Sequence, residues 1–250
     1  MALAPRYAAG EAQPTLSVDW RALVSSASVK SSLLTTISRK LVMAVTGLFL
    51  CSFLVVHLGG NLLLLLPEPE ARILFNTYAA TLSGNPLIKA IAYGLYAAIL
   101  VHVGYAVWIA VMNRRAAGSR YAVDRRAQAS PWYARQMNLL GAILLVFLVV
   151  HMRDLWFVYR FGAVPLDAEG HRDLYELVVT AFRSPVYTTL HVGAFVTLGY
   201  HLRQGVVGAL GTLGLYDPLA RRIAVVVATI YSLAISAGFI GIALVVHVWR

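Results

Sequence analysis

Residues 41–66 read LVMAVTGLFLCSFLVVHLGGNLLLLL and contain no Asp, Glu, Lys or Arg. A helix rises 1.5 Å per residue, so about 20 apolar residues cross the hydrocarbon core of a bilayer. This stretch is long enough, and it carries one histidine, His57, well inside it. Four more stretches follow, at 87–112, 137–161, 186–213 and 223–249. The apolar run of the third continues past Arg153 and Asp154 through LWFVY, and the fourth holds His201 and Arg203. Open strands cannot satisfy their backbone groups in lipid. The expected fold is therefore an all-α membrane protein with five transmembrane helices in a bundle, 38–250, behind a polar N-terminal extension, 1–37.

Composition agrees. Of 250 residues, 59% are hydrophobic and 13% charged, with a mean hydropathy of +0.71. That charge share is about half what a soluble domain carries. A disordered chain, a disulfide scaffold and an ordinary soluble enzyme are all excluded. The single cysteine, Cys51, lies in an apolar run and reads as packing; it supports neither an internal disulfide, an iron–sulphur ligand set nor a CxxCH attachment. The net charge of +10 sits between spans and indicates topology rather than nucleic acid. With 14 basic and 4 acidic residues, the side holding residues 1–40, the loop after the second span and the stretch 203–222 should be cytoplasmic. The other side has seven of each. The N-terminus is then inside and the C-terminus outside. Between spans three and four, Leu174, Leu177, Val178, Ala181 and Phe182 recur at helical spacing and predict a short outer helix.

Five of the seven histidines, His57, His102, His151, His191 and His201, fall within spans. Ionisable groups in a bilayer are costly and mark function by default, although a lone histidine also serves as packing glue. Depth sorts them. His57 precedes Pro67 by 10 residues and His151 precedes Arg160 by 9, which is about 14–15 Å from the outer ends. His102 follows Pro86 and His201 follows Pro185 by 16 residues each, about 24 Å in. Two levels of two imidazoles result, each able to fill both axial positions of a haem iron. Without CxxCH the haems would be of b type, and with both axial positions filled the expected work is electron transfer. His191, only 6 residues after Pro185, is too shallow for the inner level and is assigned to packing or to the wall of an outer site. Gly59, Gly60, Gly104, Gly199 and Gly205 beside the histidines would let a flat macrocycle approach.

The segments SRKLVMAVTGLFLCSFLVVHLGGN, ILVHVGYAVWIAVMNRR, LLVFLVVHMRDLW and SPVYTTLHVGAFVTLGYHLRQGVVGALGTLG, with the H-x-x-x-G of His201 to Gly205, resemble the di-haem cytochrome b anchor of succinate dehydrogenases and related quinol:fumarate reductases. The resemblance runs from about Ser38 onward. It implies five transmembrane helices and two b haems in respiratory complex II of a bacterial cytoplasmic membrane. His57 and His151 would ligate the outer haem iron, and His102 and His201 the inner. This pairing is the one that depth gives independently.

The resemblance also implies partners: a flavoprotein that oxidises succinate in the tricarboxylic acid cycle and an iron–sulphur subunit, and it is compatible with a higher oligomer of the whole complex. This chain has no dinucleotide motif or cysteine cluster to supply those functions, so only the quinone reaction would occur at this subunit. Arg114, Arg115, Arg125, Arg126, Arg221 and Arg222 offer a basic dock for an acidic partner. Arg39, Lys40, Arg153 and Arg203 are candidates for the haem propionates. Asn61, Glu68, Glu70 and Asp154 are quinone-site candidates by position. Some fumarate reductases of the family carry an acid two places before the fourth ligand; here Gly199 stands there, which favours succinate oxidation with menaquinone as acceptor. The same parts run in reverse would make a fumarate reductase anchor. A histidine-relay proton transporter and a haem cytochrome serving another dehydrogenase are rival readings.

Overall fold

The computed structural model describes residues 26–116 and 132–250. The chain divides into two units, 1–38 and 39–250, and the geometry below belongs to the second. The expectations for residues 1–25 and for Arg125 and Arg126 lie outside the described residues.

The chain is mostly helical (87%), with no strands among the described residues. Helix α1 spans Ser26–Asn61, so it begins inside the stretch expected to be a polar extension. A 3-10 turn, Leu62–Leu65, and the prolines at 67 and 69 end it. Then come α2 (Glu70–Gly84), α3 (Pro86–Ala116), the single turn α4 (Trp132–Arg135) and α5 (Met137–His151). A π-helical turn, Met152–Phe157, continues α5 into α6 (Val158–Phe161). Helices α7 (Leu174–Phe182), α8 (Pro185–Thr212) and α9 (Pro218–Trp249) complete the chain.

Local chemistry sets the helix starts. Three of the long helices open on a capping residue followed by proline at the first helical position, where its missing N–H costs nothing. Asn85 Oδ1 accepts from Leu87 N at 2.9 Å before α3. Ser184 Oγ accepts from Tyr187 N at 3.4 Å before α8. Asp217 Oδ2 accepts from Leu219 N and Ala220 N, both at 2.9 Å, before α9.

Four helical stretches are long and apolar enough to cross a membrane: Ile37–Leu65, Pro86–Arg115, Met137–Phe161 and Pro218–Trp249. Large apolar side chains such as Leu100, Val146 and Ile230 stand exposed on them, as lipid-facing residues do. The protein is a membrane protein. The fifth expected span, α8, is 28 residues long but is not among the four. It carries His191, His201, Arg203 and Gln204, and it packs against both α5 and α9. A helix flanked by protein can tolerate polar groups that a lipid-facing helix cannot.

On α9 the buried residues Ala224, Ala228, Ser232, Ile235, Phe239, Ile242 and Val246 recur every three or four positions, forming one stripe. Part of the contact with α8 is very close: a Cβ at Gly199 would stand 2.8 Å from Ser236 Oγ. The expected outer helix is α7. It packs on α2, with Ala71 and Phe75 against Tyr175, Val178, Val179 and Phe182. A polar network pins this cap. Asn76 Nδ2 donates to Asp167 Oδ2 at 3.0 Å and to Asp173 Oδ1 at 2.9 Å, and its Oδ1 accepts from Tyr175 N at 2.9 Å. Arg72 donates to Asp173, whose other oxygen also accepts from Glu176 N at 3.1 Å. Burial alone would raise the Asp173 carboxyl, but these donors outweigh it and hold it below the usual carboxylate range. Asp167 is held down in the same way by backbone donors at His171 and Glu169 and by Asn76.

Candidate functional site

The outer level joins α1 to the end of α5. His57 and His151 face each other with ring centroids 6.0 Å apart and planes at 90°. Metal–imidazole bonds are about 2.0 Å, so two rings on opposite sides of one ion have centroids about 6 Å apart. His57 also stacks on Phe53 at 5.2 Å and meets Phe239 at 5.6 Å, while His151 meets Phe147 at 5.5 Å. The Nδ1 of His151 is buried with no hydrogen-bond partner.

The inner level joins α3 to α8. Thr46 Oγ1 donates to Val42 O at 2.7 Å, which uses its one hydrogen. At 3.1 Å from His102 Nδ1 it therefore acts as acceptor, so Nδ1 of His102 carries the proton. That tautomer leaves Nε2 as the electron-pair donor, the form a metal requires. His201 lies within electrostatic reach of His102, and its Nδ1 is buried without a partner. Glycines stand beside both rings: a Cβ at Gly47 would lie 3.4 Å from His102 Cε1, and one at Gly141 would lie 3.8 Å from His201 Cε1.

Two cations border this level. The Arg39 guanidinium lies 4.2 Å over the Trp108 ring and donates to Met112 Sδ at 3.3 Å, while its Nε is buried and unpartnered. Arg203 donates to Thr229 Oγ1 at 3.1 Å and to the Tyr133 hydroxyl. Lys40 is exposed.

The structure separates the residues named from sequence. A Cβ at Gly59, Gly104 or Gly205 would meet nothing within 4 Å, so these positions leave open space. Gly60 and Gly199 instead are helix contacts, against Tyr78 and Ser236. Asn61 donates to its own helix at His57 O (2.8 Å), and Glu68 and Glu70 are exposed. Arg153 pairs with its neighbour Asp154 at 2.5 and 3.0 Å. Arg114, Arg115, Arg221 and Arg222 are exposed at helix ends.

His191 lies closer to the outer level than its depth along the helix indicates, with its ring 5.9 Å from that of His151. Tyr187 at 4.1 Å, Phe182 at 4.8 Å, Phe147 at 5.1 Å and Phe195 at 5.9 Å enclose it. Thr46 and Tyr187 were missed in the sequence. The signals were a hydroxyl inside an apolar run and a tyrosine one turn before a histidine.

Among the described residues no three His, Cys, Asp or Glu side chains form a metal cage; the imidazoles meet in pairs and rows instead. A neutral nitrogen-donor set, unpartnered ring nitrogens at both levels and glycine-lined space fit a bis-imidazole haem. No family profile, curated protein or solved structure matches the chain.

Proposed function

We propose that this chain is the di-haem cytochrome b anchor of a bacterial succinate:quinone oxidoreductase. In this reading α1, α3, the α5–α6 run, α8 and α9 all span the cytoplasmic membrane, with the N-terminus inside. His57 and His151 hold the outer b haem, and His102 and His201 the inner. The observation that carries the reading is the outer pair, two imidazoles on separate helices at 6.0 Å and 90°. When bound, the haems supply one-electron transfer between an iron–sulphur partner and a quinone.

The chain's own residues do the rest. Each imidazole pair would hold one haem iron and would keep oxygen from binding to it. Thr46 fixes the His102 tautomer. Arg39 and Arg203 neutralise propionate charge near the inner level, and the exposed arginines at the inner helix ends attract an acidic iron–sulphur subunit. The flavoprotein that oxidises succinate sits beyond that subunit. At Gly199 a longer side chain would collide with Ser236, which supports a path without an acid there and therefore succinate oxidation with menaquinone.

The test is a reduced-minus-oxidised spectrum of the purified chain with a haem count. Two b haems per chain are expected; one or none overturns the reading. Measuring succinate oxidation and quinol-driven fumarate reduction by the whole complex assigns the direction. The row His57–His151–His191 favours one competing reading, a histidine-relay proton transporter. That protein would be colourless and free of iron.

A further inference from the structure

The turn between α8 and α9 holds a crevice that neither proposed haem level uses. Gly214 closes α8 at φ +102°, a left-handed conformation that favours glycine. Its N–H donates to Gly211 O at 3.1 Å, and Leu215 N donates to Leu210 O at 3.2 Å, the paired bonds of a Schellman stop. On the other side Asp217 caps α9, its Oδ2 taken by Leu219 N and Ala220 N at 2.9 Å. Both walls of the turn are thus fixed by backbone bonds. Between them lies a crevice of about 200 Å³ lined by Val207, Gly211, Leu215, Tyr216, Arg221 and Ala224.

Depth and lining narrow the ligand. Val207 and Gly211 follow Pro185 by 22 and 26 residues, about 33 and 39 Å along α8. A bilayer is about 30 Å thick in its hydrocarbon and about 40–45 Å with its headgroups, so the crevice stands at headgroup depth. In the proposed topology that is the inner leaflet. The lining is cationic and hydroxylic at Arg221 and Tyr216 and apolar at Val207, Leu215 and Ala224. A Cβ at Gly208 or Gly211 would meet nothing within 4 Å, which leaves the α8 side open. Among the described residues the Arg221 guanidinium has no carboxylate or hydrogen-bond partner. Its neighbour Arg222 is exposed but does not line the crevice. The volume is below the roughly 300–1,000 Å³ of sites that enclose a whole small molecule, so it suits a head group whose remainder lies outside. Leu219 and Ile223, exposed beside Arg221 in sequence, offer that remainder an apolar surface. What fits is anionic at one end and apolar at the other. A carboxylate of a protein partner, arriving from water, would leave the Val207 end empty.

We infer that the α8–α9 turn binds an anionic phospholipid, its phosphate on Arg221 and its acyl chains leaving past Val207. The guanidinium fork matches two phosphate oxygens at once. A zwitterionic lipid also carries a phosphate, but its ammonium would stand beside Arg221 and Arg222, which repel it. The one acid of the turn, Asp217, is engaged in capping α9. The site takes its leaflet from the proposed topology and needs no haem. It sets Arg221 apart from Arg114, Arg115 and Arg222, which remain for a protein partner.

The test adds phosphatidylglycerol, or phosphatidylcholine with the same acyl chains, to the delipidated full chain in detergent and counts bound lipid by native mass spectrometry. The first phosphatidylglycerol is expected to bind about tenfold more tightly than the first phosphatidylcholine. Arg221→Gln should abolish that preference, while Arg222→Gln, the same change of charge one residue away, should keep most of it. Gly211→Leu fills the crevice without altering charge and should weaken phosphatidylglycerol binding about tenfold. The two arginine variants decide the matter if Gly211→Leu does not fold. An excess of inorganic phosphate should not displace the lipid. Equal binding of the two lipids overturns the inference and returns Arg221 to the protein dock. Equal losses in Arg221→Gln and Arg222→Gln overturn it in favour of a diffuse basic surface, and displacement by phosphate overturns it in favour of a simple anion site. Haem counted in the same preparations bears on the anchor reading alone: a colourless chain that keeps the lipid preference removes that reading and leaves this site standing.

Discussion

The outer cap and the membrane bundle treat buried polar groups in opposite ways. In the cap, Asp173 is 1% exposed and accepts from Arg72, Asn76 and Glu176 N, and Asn76 is saturated at both ends. The cap's unmatched atoms, His171 Nδ1, Arg172 Nε and Tyr175 Oη, belong to residues in or beside the loop at the outer ends of the helices. In the bundle, His151 Nδ1, His201 Nδ1, His191 Nε2 and the Tyr187 hydroxyl are buried with no partner, in a solvent that offers none. The buried carboxylates of the cap have their donors within the chain. In the proposed reading, the nitrogens of the bundle serve groups that the chain does not itself contain.

The largest effect should come from removing one of those nitrogens. His102→Ala or His201→Ala should abolish the inner haem signal, and His57→Ala or His151→Ala the outer one, each preparation falling from two haems to one. Haem extraction and redox-difference spectra of the four variants measure this. A variant that loses both haems equally would merge the two levels into one site.

In the cap the corresponding change is Asn76→Leu. It removes two donors to buried carboxylates and the acceptor of Tyr175 N, so the cap should lose about 3–5 kcal/mol. Hydrogen exchange across 174–182 reads the loss directly. Haem content should stay at the wild-type value; a fall would mean that the cap holds the bundle together.

Within the bundle lies the close α8–α9 contact. Gly199→Ala places a Cβ 2.8 Å from Ser236 Oγ, and overpacking of this kind costs about 1–3 kcal/mol. Thermal unfolding should show the loss, and Ser236→Gly in the same chain should recover most of it. Failure of that rescue would show that the two residues do not set the helix spacing.

Much of the framework was legible in the sequence, for identifiable reasons. Long apolar runs have no alternative to helix in lipid, and Asn85-Pro86, Ser184-Pro185 and Asp217-Pro218 announce helix starts. The status of α8 was harder to read, because its polar residues depend on neighbours that flank it, and no single-chain periodicity reports neighbours. The histidine levels could be sorted by counting rise along each helix. Rise does not report rotation about the axis, which is what brings His191 to His151 and turns Thr46 toward His102. Position near an outer end likewise does not tell whether a polar group is already engaged, as Asn61 is by His57 O.

The smallest effect expected is the cap's response to pH, and its sign follows from the two carboxylates. Asp173 and Asp167 both titrate below the ordinary 3.8 when folded, so the unfolded chain takes up protons first as pH falls. Their contribution is complete above that value and is lost as pH drops through the lower, folded values. Exchange protection of α7 should therefore be flat from neutral pH to about 5 and decline only below about 4. In Asn76→Leu the carboxyls lose a donor, their folded values rise toward the ordinary one, and the acid-dependent part of the protection should shrink. A wild-type decline already complete above about pH 5 would show that these two carboxylates do not set the acid response of the cap.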